Sequence, residues 1–358
     1  MTTALLAVIA LVLLPAISNV EANELPPSWA PLLWIAWPAG LLLAAPLVYM
    51  EIRQRHQGHG LGPDHGAASA AGRQRRDRAV SDLAVAVMRQ WTDEMGRWSV
   101  RRATPLRVRW STTSRPVAST LAGVVSQEVP HRPKAVRGDT AAHLFTLLGS
   151  MGHRQLVILG EPGAGKTVLA VLFALQVLER RQAGDPVPVV LGLSSWNPAV
   201  EDLHTWLARR IVEEYPAVGN KQVYGVDAAR SLVADGRVLA VLDGLDEMPA
   251  SARLAAIATL DHVAGTGYPM VVTCRSQEYE DVVTGGGAFL SRAAVAEIEP
   301  VDLADAGRYL IDATPRGSGH WQPVLDELAA RPDAPLARTL TSPLMISLAR
   351  AVYAAPAS

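Results

Sequence analysis

Residues 160–167 read Gly-Glu-Pro-Gly-Ala-Gly-Lys-Thr, directly after the apolar run 156–159 and directly before the apolar segment 168–175. A strand, a glycine-rich loop and a helix start in this order are what a P-loop requires. The glycines let successive backbone N–H groups converge on a phosphate chain, and the helix N-terminus adds partial positive charge. The stretch therefore predicts an α/β fold in which the loop between a parallel strand and a helix binds phosphate.

The P-loop pattern assigns a task to each residue of this loop. Lys166 is expected to reach the β and γ phosphates, and the Thr167 hydroxyl to ligate Mg²⁺. The predicted cofactors are therefore ATP or ADP together with Mg²⁺, and the alternative is a glycine-rich turn without a ligand. The residues predicted to contact the nucleotide are Gly160, Glu161, Pro162, Gly163, Ala164, Gly165, Lys166 and Thr167.

A second run, 237–243, is apolar up to Asp243 and fits a central parallel strand covered on both faces. Asp243 then falls at the carboxyl edge of the sheet, where ligands of open α/β sheets bind, and is predicted to hold Mg²⁺. Residues 244–247, Gly-Leu-Asp-Glu, add two more acids. One of them, Glu247 or Asp246, is predicted to orient the water that attacks the γ-phosphate. The alternative is that both acids stabilise a first helical turn.

Together these motifs resemble a NACHT domain of the STAND class of signal-transducing P-loop ATPases, over about residues 135–355. The acidic pair after a small residue is the most specific part of the resemblance. The resemblance implies that Thr273 and Arg275 lie in a sensor 1 motif, with Arg275 reading the γ-phosphate. It also implies that Pro343, in the Ser-Pro-Leu stretch 342–344, packs on adenine. From the residues alone, Arg275 as a surface loop arginine and Pro343 as a helix starter stay open.

The expected architecture is a P-loop NTPase parallel sheet flanked by helices, followed by a small helical subdomain and preceded by two transmembrane helices. The predicted domains are a transmembrane hairpin at 1–50, a basic cytoplasmic linker at 51–134, a NACHT core at 135–312 and an incomplete helical subdomain at 313–358. Further strand signals lie at 187–193 and 294–298, and helical patterns at 302–311 and 321–330.

Two uncharged segments near the amino end predict membrane spans. Segments 4–20 and 29–50 contain no charged residue, and about 20 apolar residues cross a bilayer core. The alternative for the first segment is a secretory signal with a small-residue cleavage site at 20–22. Against this alternative, no Lys or Arg precedes the apolar run.

The charge distribution predicts the orientation of these spans. The loop 21–28 has two acids and no base, whereas residues 51–137 hold sixteen Lys or Arg and seven Asp or Glu. By the positive-inside rule, the loop lies outside and the ATPase is cytoplasmic, in a multi-pass protein of the cell membrane. The basic stretch is expected to bind anionic membrane lipid. A nucleic-acid partner is not expected, because no aromatic residues interleave with the basic ones as a stacking platform.

Between the spans and the P-loop, the composition changes twice. Residues 57–71 are rich in Gly, His and Ala and predict a flexible tether. Residues 78–97 carry apolar side chains at helical spacing, and residues 107–110 alternate like an edge strand. A linker of this composition is similar to those that precede NACHT modules in actinobacterial membrane proteins.

These features favour a membrane-anchored signalling switch that binds ATP and hydrolyses it slowly, and that self-associates or meets a signalling partner on activation. Two alternatives stay open. One is an AAA+-like motor or transporter-associated ATPase, and the other is a tether that binds nucleotide without hydrolysing it. The sequence identifies neither the stimulus nor the effector.

Overall fold

The structure, a computed structural model, describes residues 63–98, 106, 108–113, 115–117, 137–138, 140–150, 154–312, 319 and 321–353. The predicted spans at 4–20 and 29–50 lie outside these residues. Within the described ranges, no helix combines the length and the apolar character that a membrane crossing needs. The chain divides into two units, Met1–Ser69 and Ala70–Ser358, and the sheet belongs entirely to the second.

One mixed sheet of seven strands organises the fold. The strands are β1 (Trp110–Thr112), β2 (Arg137–Gly138), β3 (Gln155–Gly160), β4 (Val187–Gly192), β5 (Val238–Asp243), β6 (Met270–Arg275) and β7 (Ala294–Ile298). Their order across the sheet is β2-β1-β7-β3-β6-β5-β4. From β7 to β4 the strands are parallel, whereas β1 runs antiparallel to both β7 and β2. The predicted α/β fold is therefore confirmed, but the sheet is mixed and only its strands from β7 to β4 are parallel.

Helices connect and follow the strands. In chain order they are α1 (Pro63–Arg97), α2 (Ala141–Ser150), α3 (Lys166–Arg180), α4 (Leu203–Glu214), α5 (Lys221–Tyr224), α6 (Ala228–Ala234), α7 (Ala250–Gly265), α8 (Ser276–Gly286), α9 (Leu303–Asp312), α10 (Gln322–Ala330), α11 (Pro335–Thr339) and α12 (Pro343–Tyr353). Short 3₁₀ turns lie at Leu193–Ser195, Pro216–Gly219 and Leu245–Glu247. The helical patterns predicted at 302–311 and 321–330 correspond to α9 and α10.

The apolar strands are buried because helices cover both faces of the sheet. Every residue of β3 is buried, and its side chains alternate between two hydrophobic clusters. Val157 and Leu159 pack in the cluster with α1, α4 and α7, whereas Leu156 and Ile158 pack in the cluster with α2 and α3. A strand covered on both faces is a nearly continuous apolar run, which is why this part of the fold was predictable.

Helix α1 corrects two predictions about the linker. It is 35 residues long and extends well beyond the predicted helical segment 78–97. Because it begins at Pro63, residues 63–71 are helical and not a flexible tether. Alanines at four of these positions, with their high helix propensity, outweigh the single glycine there. The predicted apolar face is present, since Val80, Leu83 and Val87 are buried in the core.

The predicted edge strand at 107–110 lies further along the chain, at Trp110–Thr112. Trp110 is completely buried, and its neighbours pair with Glu297 and Ala296 of β7. Burial of this ring against β7 sets the position of the strand, because the pattern of alternating residues alone specifies register weakly. The sheet therefore includes residues upstream of the predicted core boundary at 135.

A separate small core holds the C-terminal helices together. Leu310 of α9, Leu328 of α10, Ala337 of α11 and Ile346 of α12 are buried in it, together with Trp321. Helix α9, which belongs to the predicted NACHT core, thus shares this small core with the helices of the predicted subdomain.

Candidate functional site

The loop at 160–167 joins the carboxyl end of β3 to the start of α3. Gly163 has a φ of 75°, a left-handed conformation that L side chains rarely adopt. Helix α3 begins at Lys166, so its first N–H groups face the loop and supply the positive end of the helix dipole. This is the local geometry that binds a phosphate chain.

The Lys166 ammonium lies within the loop. Its Nζ donates to the carbonyl oxygens of Gly160 at 2.9 Å and Glu161 at 3.2 Å. Burial lowers the pKa of Lys166, while the neighbouring Asp246 partly offsets this effect. A bound phosphate chain would supply the counter-charge that this partly buried cation lacks.

Asp243 lies at the carboxyl end of β5, directly across from Thr167. The Thr167 hydroxyl donates to Asp243 Oδ2 at 2.8 Å, and the Thr273 hydroxyl donates to Oδ1 at 2.6 Å. Thr273 Oγ1 also accepts the Gly244 N–H at 2.9 Å, which ties the ends of β5 and β6 together. The structure therefore brings a hydroxyl and a carboxylate together at the phosphate loop, the oxygen ligands that Mg²⁺ prefers, so these residues fit a Mg²⁺ ion beside a phosphate chain.

The two acids that follow Asp243 have different surroundings. The side chain of Asp246 is 7% exposed and pairs with Arg275, whose Nε lies 2.8 Å from Oδ2. Glu247 is exposed, and among the described residues no side chain pairs with its carboxylate. Gly244 makes this turn possible, because its φ is 76° and a Cβ there would lie 2.8 Å from Glu247 Cδ. The structure thus distinguishes two acids that sequence reasoning treated as interchangeable.

Arg275 ends β6 and stands at the same edge of the sheet. Its backbone N–H donates to Asp246 Oδ1 at 3.1 Å, and its Nη1 lies 3.4 Å from Glu278. Within the described part of the chain, no hydrogen bond or ion pair involves Nη2 of Arg275. The guanidinium is therefore held by acids on one side and keeps donors for another anion.

The helical subdomain contacts the phosphate loop directly. The Leu344 N–H and the Ser342 hydroxyl both donate to the carbonyl oxygen of Gly163, at 3.2 and 3.3 Å. Pro343 begins α12, and its Cβ lies 3.9 Å from where a Cβ on Gly165 would be. Both the implied contact with a nucleotide and the simple helix start are compatible with this position.

A cavity of about 1170 Å³ runs along this edge, and ligand pockets usually measure about 300–1,000 Å³. It continues past the phosphate loop to apolar side chains of α1 and of the segment before β1. Residues lining it include Gly163, Lys166, Thr167, Asp243, Asp246, Glu247, Thr273, Arg275, Pro343, Trp98, Leu106 and Val108. The predicted site residues at the strand ends thus share one cavity with the phosphate loop.

Sequence reasoning missed several residues near this edge. Ser342 and Leu344 were seen only as neighbours of Pro343, and Ser276 carried no motif. Glu297 had a signal, because it is the one charged residue in the strand Ala-Val-Ala-Glu-Ile. Charged residues enter buried strands only when they are paired, so this position indicated a partner elsewhere in the chain.

One comparison with known protein families covers the P-loop region. Residues 154–314 match the model of the NACHT domain, a range that includes the P-loop, Asp243, the acidic pair and Arg275. Among solved structures, the chain is similar to C. elegans PCH-2, with 13% identity and a TM-score of 0.28 over 62% of this chain and 53% of that one. The chain therefore spans about half the length of that protein. Comparison with curated proteins gives no match. The NACHT match supports a nucleotide-binding P-loop NTPase at residues 154–314.

Proposed function

We propose that this protein is a membrane-anchored signalling switch, in which the NACHT region binds ATP, hydrolyses it slowly and changes its assembly state with the bound nucleotide. The observation that carries the proposal is the contact between Thr167 and Asp243, 2.8 Å long, beside an exposed acid and a sensor arginine. These groups are what phosphoryl transfer needs, because its catalysis rests on positioning and charge stabilisation.

Each residue of the site has a task in this proposal. The N–H groups of the phosphate loop bind the β-phosphate, and Lys166 leaves the carbonyls of Gly160 and Glu161 to neutralise the phosphate chain. Thr167 and Asp243 would hold Mg²⁺, which draws charge from the phosphate oxygens when bound. Lys166 needs only to exchange its hydrogen-bond partners for the phosphate chain to enter the loop.

The two acids divide the remaining work. Glu247, exposed and unpaired among the described side chains, orients the attacking water. Asp246 is already engaged by Arg275, so it acts as the anchor that keeps this guanidinium at the strand end. Arg275 then reads the γ-phosphate with the donors that the acids leave free.

The contact of the helical subdomain with the phosphate loop favours a switch over a motor. Leu344 and Ser342 donate to Gly163 within the loop itself, so release of the nucleotide is coupled to movement of this subdomain. Through such coupling, the position of the helical subdomain depends on whether ATP or ADP is bound, as a switch requires.

Membrane anchoring is proposed from the sequence alone. Two uncharged segments, 4–20 and 29–50, and the basic flank after the second favour a hairpin with the ATPase in the cytoplasm. In this arrangement membrane lipid is one partner, and a second copy of the chain or a signalling protein is the other. Nucleic acid has no part in it.

The test of the switch is ATP turnover by the full chain together with the nucleotide that co-purifies with it. A switch turns over slowly and retains bound ADP. Fast turnover without retained nucleotide would instead identify a motor or transporter-associated ATPase, and bound nucleotide without any turnover would identify a tether.

The test of the topology uses reporter fusions at Met1 and Ser358 and an accessible tag at Glu24. Both ends are expected in the cytoplasm and the tag outside. If mass spectrometry finds the mature protein without its amino-terminal segment, the first span is a cleaved signal. If the protein is soluble without detergent, both spans are wrong.

A further inference from the structure

Glu297 joins three separate parts of the chain at the carboxyl edge of the sheet. Its carboxylate accepts from the Thr113 hydroxyl at 2.9 Å, from Arg115 Nε at 3.0 Å and from the Ser276 hydroxyl at 2.9 Å. Thr113 and Arg115 follow β1, Glu297 lies in β7, and Ser276 is the first residue of α8. None of the tasks assigned to the nucleotide site uses this cluster.

The cluster reaches the sensor arginine through one peptide bond. Ser276 is 1% exposed and directly follows Arg275, at the point where β6 passes into α8. On its other side, Arg275 is held by Asp246 through both its backbone N–H and its Nε. Arg275 therefore stands between two carboxylates, Asp246 at the nucleotide site and Glu297 toward the upstream segment.

The position of Arg275 depends on the positive charge of Arg115. The guanidinium pairs with Glu297 and also with Glu280 of α8, so one cation neutralises two acids on two elements. All three side chains are between 24% and 32% exposed, which leaves them only partly screened by water. Without Arg115, the carboxylates of α8 and β7 would repel each other, and the start of α8 would move with its attached Arg275.

We propose that Glu297 is a positioning residue for Arg275, and that the upstream segment around Arg115 sets the preference for ATP over ADP through it. This inference rests on the proposed function, because it needs Arg275 to read the γ-phosphate. In this proposal the segment before the NACHT match regulates which nucleotide is bound, whereas the sequence predicted only a linker there.

The test measures the affinities of the full chain for ATP and for ADP by calorimetry. Coupling between sites typically changes affinity about 5–150-fold, and Arg115→Gln is expected to weaken ATP binding about tenfold while changing ADP binding less than twofold. The matched control is Arg209→Gln. Arg209 also bridges two acids, Glu201 and Glu213, at 2.8 Å each, but on α4 and its approach. Arg209→Gln should alter neither the affinity for ATP nor that for ADP.

Two further variants separate positioning from a general loss of structure. Glu280→Gln removes the repulsion, so the double variant with Arg115→Gln should recover ATP affinity to within about threefold of the unaltered chain. Arg275→Gln should remove the preference for ATP, and adding Arg115→Gln to it should change nothing more. If Arg115→Gln does not fold, Ser276→Ala removes only one hydroxyl and should weaken ATP binding about threefold, again without affecting ADP.

The possible outcomes separate failure of the positioning role from failure of the proposed nucleotide switch. Equal losses of ATP and ADP affinity, no rescue by Glu280→Gln, or additive effects of Arg115→Gln and Arg275→Gln would overturn the positioning role and leave the switch intact. An unaltered chain that binds neither nucleotide would overturn the proposed function, and this inference with it.

Discussion

The candidate site has two halves that are built in different ways. The phosphate half is the loop at 160–167, and the sensor half is Arg275 with the side chains that hold it in place. In the phosphate half, Lys166 contacts Gly160 and Glu161, which lie six and five residues away in the same loop. In the sensor half, Arg275 meets Asp246 at a separation of 29 residues, and Glu297 meets Arg115 at 182. The phosphate half is therefore a property of one local stretch, whereas the sensor half exists only once distant segments have packed together.

The largest effect is expected for Glu247→Gln, which tests whether Glu247 or Asp246 orients the attacking water. Loss of a general base lowers a rate about 10²–10⁴-fold, and we expect the rate of phosphate release to fall by about a thousandfold with ATP still bound. The reason is that Glu247 is the acid without a partner among the described side chains. Asp246→Asn, measured in parallel, serves as the neighbouring control. Should Asp246→Asn stop hydrolysis while Glu247→Gln does not, the division between the acids is wrong.

Lys166→Ala tests whether the phosphate half stands alone. Truncating one partner of a desolvated charge pair loses about 2–5 kcal/mol, and we expect ATP affinity to fall about a hundredfold, as calorimetry would measure. The control is Lys221→Ala, because Lys221 is exposed on α5 and does not line the cavity. This variant should bind ATP as the unaltered protein does. An unchanged affinity of Lys166→Ala would contradict the assignment of the loop.

Asp246→Asn tests the sensor half. The substitution keeps an oxygen for the Arg275 N–H but weakens the ion pair with Nε, so Arg275 is held less well. We expect ATP binding to weaken about tenfold relative to ADP binding. Asp261→Asn is a suitable control, because this carboxylate also accepts two hydrogen bonds, both from Ser291, and does not line the cavity. Equal effects on ATP and ADP would show that Asp246 belongs to the phosphate half.

The same contrast explains what the sequence could predict. Strands β3, β5 and β6 are unbroken apolar runs that end on functional residues, so their identity and the edge at which Thr167, Asp243 and Arg275 meet followed from pattern and parallel topology. The partners of Trp110, Glu297 and Arg115 could not be predicted, because β1 pairs with β7 and β2 through contacts distant in sequence that no local pattern specifies. The helix over 63–71 was missed because composition indicated a tether, although its alanines favour helix.

The smallest expected effect concerns the contact of the phosphate half with the helical subdomain. Gly163→Ala places a Cβ at a φ of 75°, 3.0 Å from Ser342 Oγ and 3.1 Å from Leu344 Cβ. Gly236→Ala meets the same kind of backbone strain, at a φ of 64°, with nothing within 4 Å of the new Cβ. Left-handed backbone costs a non-glycine residue about 1–2 kcal/mol, so both variants lose stability, and the difference between them isolates the crowding against α12. We expect Gly163→Ala to lose about 1 kcal/mol more than Gly236→Ala in denaturant unfolding without nucleotide. Equal losses would mean that the subdomain yields freely, and the coupling of nucleotide release to its movement would then lose its structural support.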